Sequence, residues 1–446
     1  MKLEISYRRI WAISAPIMLG SAVQNVIALS DSVFLFHLGQ EDFAAIGFVG
    51  VFYLVIAAIG YGFSKGGQIM IARRMGEGQM HEVGRTFYAM LYFEFGLAVC
   101  MFLIMQYGCA FFFPFFINSE VVLTKSLEYL EYRSWGVFFS YGGLALIALY
   151  TGVARTRFIV VDTLVLAVVN ILLNYALIFG NFGLPAMGIA GAGLASTISE
   201  VVACLLFVVY VLGIDPRARR YHLFRLPRLD WKLIRQQQAI ATPVVAQSVV
   251  GVGSWFIFFS IVEDLGERPL AITNLVRIVY LILSVPCWGL ASGTNTLVSN
   301  IIGQGMHDRV GEAIRKTMIL CLAVTMLISI PVILAPEFFL YPLLGDADPG
   351  LVREAKPIFS ILLLILAVFS FGSIQFNGLI GTGATLTGLL LQSLSAVCYL
   401  IFIYCVVHYT SGGLQLAWSA EILYWGLLGL FSYFFLKSGR WSKVSV

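Results

Sequence analysis

The chain has 446 residues, of which 59% are hydrophobic and only 12% are charged, with a net charge of +4. Soluble domains carry charge on about a quarter of their residues, so the composition excludes an ordinary soluble protein. No polar stretch is long enough to fold as a separate catalytic domain. The seven cysteines show no CxxC or Cys/His spacing, which excludes a disulfide framework and a cysteine metal site. We expect no enzyme activity and no cofactor.

Twelve apolar runs of about 20 residues or more predict helices that span a membrane. They lie at residues 11–37, 44–71, 87–112, 127–150, 158–180, 187–213, 237–262, 270–300, 314–340, 354–380, 385–407 and 413–436. Of the 28 lysines and arginines, 21 fall in connections on the side that holds both termini. Cytoplasmic connections carry such an excess. We therefore predict an all-α protein of the inner membrane with both termini in the cytoplasm.

The first span carries a carboxylate inside its apolar run. Asp31 lies fifteen residues after Pro16. A charge inside a span is costly unless it is balanced, so Asp31 indicates a functional site; a buried Asp held by serine and backbone partners is the equal alternative. Pro16 removes a helical hydrogen bond, which predicts a kink where this helix can bend.

The two halves of the chain match at a fixed offset of 227 residues, without a gap, over nearly seventy residues. The matched pairs include Pro16 with Pro243, Gly62 with Gly289, Gly66 with Gly293, and Val83-Gly84 with Val310-Gly311. Farther on, Gly152 matches Gly381 at an offset of 229. A repeat of six spans enters the membrane twice in the same orientation, which is a recurring plan of transporters.

The repeat predicts an N-lobe at residues 1–213 and a C-lobe at residues 237–446. Between them lies a basic cytoplasmic linker at residues 214–236. We interpret this linker as a connection that maintains orientation and touches anionic lipid, rather than as a regulatory segment.

Four motifs follow one another along the chain in a fairly specific order. They are Pro16 to Asp31 followed by LG at 38–39 and AAIG at 44–47, then IARRMGEG at 71–78, the pair Asn170 and Asn174, and PAMGIAGAGLAS at 185–196. In these motifs the whole chain resembles the multidrug and toxic compound extrusion (MATE) family. The NorM branch of that family has a glutamate in span 7 and an aspartate in span 10. This chain has Gly251 and Phe369 there, so it resembles the DinF-like branch more.

The resemblance implies two six-helix lobes around a cavity and the efflux of organic cations and drugs in exchange for H⁺ or Na⁺. It also implies a site for the coupling ion, with Na⁺ as one candidate metal, at Asp31, Asn170, Asn174 and Ser196. Thr197 is the second choice for the last position.

Helix geometry supports this site independently of the resemblance. At about 1.5 Å per residue, the four side chains lie roughly 9 to 15 Å below the outer membrane surface. Asn170 and Asn174 are spaced i, i+4 and share a helix face. Carboxylate, amide and hydroxyl oxygens suit a hard cation such as Na⁺, and equally suit a protonated acid. Interhelical hydrogen bonding alone is the other explanation, and the similar depths favour the ion site.

Other polar residues within the spans are candidates for the cavity or for substrate contact. Gln24 lies on the Asp31 face of the first span, and Arg277 is expected to pair with Glu263 or Asp264. Glu200 and Glu421 can bind substrate cations, but structural hydrogen bonding is favoured for both. Lys65 and Glu94 are expected to pair with each other; Lys65 extending alone to the interface is nearly as good an alternative.

We conclude from the sequence that the chain is a secondary antiporter working by alternating access. Its expected partners are small organic cations and membrane lipid, with no nucleic acid, and it is expected to be a monomer. A lipid-linked oligosaccharide or lipid flippase of the same superfamily is the alternative. A major-facilitator carrier and a channel are less consistent with the connection between spans 2 and 3 and with the absence of a filter-like run.

Overall fold

The computed structural model describes residues 4–338, 349–410 and 412–443, and every regular element within these ranges is helical. The main helices are α1 (Tyr7–Leu38), α2 (Gln40–Gly76), α3 (Met80–Leu103), α4 (Glu120–Gly152), α5 (Arg157–Phe179), α6 (Gly188–Val209), α7 (Trp231–Glu263), α8 (Glu267–Leu283), α9 (Val285–Gly303), α10 (Val310–Leu334), α11 (Pro349–Gly381), α12 (Thr385–Tyr409), α13 (Gly413–Trp418) and α14 (Ala420–Lys437). Helix α3 continues through a π-helical turn at Ile104–Gly108, and its span ends at Phe115.

Eleven helices in the described ranges are long and apolar enough to cross a membrane, or twelve if α8 and α9 form one span. The all-helical prediction is confirmed, and the eleven or twelve candidate spans agree with the twelve that were predicted. The predicted eighth span, 270–300, is bent by 45° between α8 and α9. Pro286 lies in the first turn of α9, where proline cannot donate a backbone hydrogen bond to the preceding turn. The predicted end of the ninth span, residues 339–340, lies outside the described residues.

The chain forms two compact units. The first is Leu19–Val245, and the second combines the residues up to Met18 with those from Ala246 onward. Helix α1 leaves the second unit and enters the first after Met18, two residues beyond Pro16. Helix α7 leaves the first unit and enters the second after Val245, two residues beyond Pro243. The two crossing points are therefore related by the same offset as the sequence repeat. The predicted lobes at 1–213 and 237–446, which follow chain order, stay a prediction.

Matched glycines make matched helix contacts in the two units. A Cβ atom on Gly66 of α2 would lie 3.0 Å from the Cα atom of Ala241 on α7. A Cβ atom on Gly293 of α9 would lie 3.3 Å from the Cβ atom of Ser14 on α1. Small residues allow membrane helices to approach this closely. Each contact has its counterpart 227 residues away, so the repeat extends to packing.

The basic segment between the halves packs onto the first unit. Its buried members, which join the hydrophobic core there, are Ala218, Tyr221 and Leu223. The Tyr88 hydroxyl donates to the Leu223 carbonyl, and Arg85 forms an ion pair with Asp230 at 2.5 Å. The segment is thus an integral part of the first unit as well as a connection.

Candidate functional site

A chain of hydrogen bonds joins the four predicted site residues within the first unit. The Asn174 amide Nδ2 donates to Asp31 Oδ1 at 2.5 Å and to Asn170 Oδ1 at 3.1 Å. The Asn170 amide Nδ2 in turn donates to Ser196 Oγ at 3.2 Å. The sequence therefore located a set of side chains that the fold brings into direct contact.

Three helices supply this set. Helix α1 carries Asp31, α5 carries the two asparagines one turn apart, and α6 carries Ser196. Both asparagines are almost completely buried, at 1% and 0% exposure. Thr197, the second choice for the hydroxyl, instead donates to the Tyr132 carbonyl at 2.9 Å. Ser196 is thus the hydroxyl that joins the chain.

The arrangement fits an ionised Asp31. A carboxylate only accepts hydrogen bonds, and the Asn174 amide supplies the donor. The opposite atom of that amide, Asn174 Oδ1, is buried and has no hydrogen-bond partner among the described residues. Buried acceptors rarely stay unpaired, so this atom is available to a cation or to a donating proton.

The oxygen set suits a monovalent ion. Among the described residues, no three His, Cys, Asp or Glu side chains are grouped to hold a metal ion. Asp31 is the one carboxylate in the hydrogen-bonded chain, and its partners are neutral amide and hydroxyl oxygens. One negative charge with neutral oxygens matches Na⁺ or H⁺ in charge.

The first unit also contains a buried ion pair that was not predicted from the sequence. Arg133 of α4 binds Glu200 of α6 through two hydrogen bonds of 2.7 and 2.6 Å. The guanidinium also lies over the Tyr53 ring, 3.8 Å from its centroid. Arg133 lies near the start of the predicted span 127–150, where a cation can reach water, yet it is only 5% exposed. Glu200 therefore has Arg133 as its partner within the first unit, and its contact with a substrate stays a prediction.

The other predicted candidates are placed as follows. Gln24 is exposed on α1, and α1 continues as one helix through Pro16.

Arg277 lies over the Phe259 ring at 5.2 Å and has no ion pair among the described residues. Its expected pairing with Glu263 or Asp264 is wrong, because Asp264 lies 3.5 Å from His408 instead.

Glu94, on α3, accepts a hydrogen bond from Ser64 at 2.8 Å, and its Oε2 atom has no hydrogen-bond partner among the described residues. The buried Lys65 ammonium lies over the Tyr61 ring at 5.7 Å. Ser64 is thus the observed donor to this acid, and the pairing of Lys65 with Glu94 stays a prediction.

The second unit has aromatic rings where the first has its polar chain. By the repeat, Phe258 takes the place of Asp31 and Tyr399 that of Asn170. The two rings stack with centroids 5.8 Å apart, and Trp418 meets Phe258 edge to face at 5.6 Å. The polar chain is consequently not duplicated at the matching positions.

This aromatic cluster surrounds Glu421. The carboxylate accepts hydrogen bonds from Trp255 Nε1 at 2.8 Å, Tyr399 Oη at 3.0 Å, Trp425 Nε1 at 3.2 Å and Tyr280 Oη at 3.5 Å. The residue is 2% exposed. Four donors and no acceptor suit an ionised carboxylate. The structural role favoured for Glu421 has its physical basis in this cage of donors.

Replacing Glu421 by glutamine should destabilise the second unit by about 1–3 kcal/mol, because the new amide nitrogen would face donors with no acceptor. The measurement is the unfolding midpoint of the purified protein in detergent. Glu354→Gln, at an exposed ion pair with Arg268, is the matched control and should change the midpoint little. Equal midpoints for both variants would contradict the role of the cage.

Comparison with known proteins agrees with this fold and its repeat. A model of the MatE family matches residues 16–176 and again residues 243–405. "Probable multidrug resistance protein NorM" of Thermotoga maritima is 25% identical over 448 residues, which cover 97% of this chain and 93% of that protein. Relatives from Agrobacterium fabrum and Synechocystis carry the same NorM name. The expected closeness to the DinF-like branch is therefore not supported.

Solved structures share the fold over almost the whole chain. "Outward-facing conformation of a multidrug resistance MATE family transporter of the MOP superfamily" superposes with a TM-score of 0.88 at 18% identity, covering 98% of this chain and 97% of that one. "Crystal structure of MATE in the bent conformation" gives a TM-score of 0.85 at 20% identity, with the same coverage. Together with the family match to both halves, these similarities establish that the chain belongs to the MatE family of membrane transporters.

Proposed function

We propose that this transporter exports organic cations and drugs in exchange for H⁺ or Na⁺ by alternating access. The observation that carries the proposal is the hydrogen-bonded chain from Asp31 to Ser196, set among spanning helices of a single unit. A relative that covers nearly the whole chain is named a multidrug resistance protein, which supports drugs as the substrate class.

A proton on the Asp31 oxygen that Asn174 binds would rearrange the two hydrogen bonds donated by the Asn174 amide. A proton on Oδ1 would face the Asn174 N–H, so two donors would point at each other. Turning the amide relieves this, because its unpaired Oδ1 then faces the proton. The turn also removes the hydrogen bond that Asn170 Oδ1 accepts from the Asn174 amide. Protonation of Asp31 is in this way transmitted from α1 to the two asparagines of α5.

Helix α1 connects this event to movement. It carries Asp31 in the first unit and changes unit two residues after Pro16. A helix lacking one hydrogen bond at a proline bends there most easily. We infer that neutralisation of Asp31 lets α1 bend at Pro16, which contracts the N-lobe side of the cavity and releases the drug.

The flippase alternative is less well supported. A carrier of phosphate-bearing lipids needs free cations to bind them. The buried Arg133 is already neutralised by Glu200, which leaves Arg277 as a single arginine deep within the described spans to set against a phosphate. The family match and the NorM relatives also favour drug export.

We further propose an inner-membrane location with both termini in the cytoplasm, from the placement of 21 of the 28 basic residues on one side. The protein is expected to act as a monomer that needs no cofactor besides its coupling ion.

The test uses proteoliposomes, a fluorescent organic cation and an imposed pH or Na⁺ gradient. We expect one gradient to drive accumulation of the cation against its own gradient, and that gradient identifies the coupling ion. No movement under either gradient would overturn the proposal and direct attention to a labelled-lipid assay.

A further inference from the structure

An apolar pocket lies in the second unit, where α10 begins and α14 ends. Its volume is about 380 Å³, within the range of ligand sites. The walls are mostly apolar, and the lining residues used below are Gly311, Arg315, Gln375, Lys437 and Trp441. Val310 and Lys437 are the first residue of α10 and the last of α14, respectively. The pocket therefore lies at the membrane interface on the side of the basic connections.

Two cationic side chains of this pocket form no ion pair among the described residues. Arg315 and Lys437 are exposed and form no ion pair there, whereas the neighbouring Arg309 and Lys316 are both bound to Glu312. Gln375 is only 6% exposed, and its amide makes no hydrogen bond within the described part of the chain. Its amide lines the pocket and supplies a donor and an acceptor to whatever binds there.

The repeat shows that the matching surface of the first unit is covered. Gly84 corresponds to Gly311 at the offset of 227, and a Cβ atom on Gly84 would collide with the carbonyl of Tyr221 in the basic segment. A Cβ atom on Gly311 meets no atom within 4 Å. The two units thus differ in that one surface is occupied by the chain itself and the other is open.

The side chains at the matching positions of the two units differ, as expected if the two surfaces hold different occupants. Tyr88, which binds the Leu223 carbonyl in the first unit, is replaced by Arg315 in the second. Buried Leu146 is replaced by Gln375 at the later offset of 229. Where the first unit holds a peptide segment against apolar side chains, the second offers two cations and an amide.

We propose that this pocket binds one anionic phospholipid, with part of an acyl chain against its apolar wall and the phosphate on Arg315 and Lys437. Gln375 hydrogen-bonds the glycerol ester region. Basic pockets between spanning helices on the cytoplasmic side bind such head groups, and Trp441 is of the type that sits at the interface. The site is independent of the proposed transport cycle.

The experiment measures lipid binding to the delipidated, detergent-purified protein by native mass spectrometry and by unfolding midpoints. The probes are phosphatidylglycerol, phosphatidylcholine and inorganic phosphate. At about fivefold per cation near an anionic surface, two cations should give phosphatidylglycerol a roughly 25-fold preference over phosphatidylcholine. Arg315→Gln with Lys437→Gln should remove that preference, and Arg309→Gln, the matched control, should retain it.

A steric variant tests the pocket itself. Gly311→Leu keeps both cations and adds bulk into open space, so it should block lipid without unfolding the helix. Loss of the bound lipid in this variant, with an unchanged midpoint in lipid-free detergent, would support the site. Equal binding of the two lipids by the natural chain, a preference retained in the double variant, or full displacement by inorganic phosphate would overturn the proposal.

Discussion

An Asp31→Asn variant should bind organic cation and yet lose all accumulation driven by an ion gradient. A tenfold ion gradient supplies about 1.4 kcal/mol per ion and supports about tenfold accumulation in a one-to-one exchange. Asparagine does not ionise, so the variant cannot couple the ion gradient to transport. Its substrate should equilibrate at an internal-to-external ratio of about one. The measurement is the internal-to-external ratio of a fluorescent cation in proteoliposomes at steady state.

The control for this variant is a second buried carboxylate of the same unit. Asp162, on α5, is 5% exposed, and no described residue binds its Oδ1 atom. It is outside the bonded chain of Asp31, so Asp162→Asn should keep the accumulation ratio. Accumulation retained by Asp31→Asn, or lost equally in both variants, would remove Asp31 from the coupling mechanism.

Ser196 is the last member of the hydrogen-bonded series that begins at Asp31. Its hydroxyl receives one hydrogen bond of 3.2 Å from Asn170 and makes none to Asp31 within the described residues. The depth argument predicted that it meets the asparagines, because residues on three helices at one level of a bilayer can meet, and its hydroxyl does contact Asn170. Position along a span predicts depth, and periodicity predicts the helix face. The side chains that are hydrogen-bonded with Asp31 could therefore be predicted from the sequence.

The ion pair of Arg133 was beyond that reach for a physical reason. Charge counting assigns an arginine near the end of a span to the adjacent connection. Whether the side chain extends to water or turns inward depends on a partner on another helix. Here Glu200 lies on α6, 67 residues away, and no local pattern links the two. Arg277 illustrates the converse, since acids near in sequence were not its partners.

The packing of the basic segment was hidden for a similar reason. Its arginines predict a lipid-facing loop, but Tyr221 and Leu223 are what fix it to the first unit. The segment mixes seven basic residues with apolar side chains that follow no clear period, so the two that pack inward do not stand out. The cage around Glu421 is also assembled from α7, α8, α12 and α14, so only the folded chain reveals its four donors.

Removing Arg133 should be among the most destabilising single changes in the first unit. Arg133→Met leaves Glu200 buried without its cation, which costs about 3–5 kcal/mol for a buried pair. The side chains are 6% and 14% exposed, so water replaces little of the lost interaction. The measurement is the unfolding midpoint in detergent. The exposed pair Arg268–Glu354 is the control, and Arg268→Met should cost within about 1 kcal/mol.

The double variant Arg133→Met with Glu200→Leu separates structure from coupling. Replacing a buried ion pair by apolar side chains is often neutral for stability, so most of the loss should be recovered. If the pair only supports the fold, the double variant should also accumulate substrate, since the bonds from Asp31 to Ser196 involve neither residue. A stable double variant without accumulation would instead make Arg133 and Glu200 part of the coupling site, which would then contain two carboxylates rather than one.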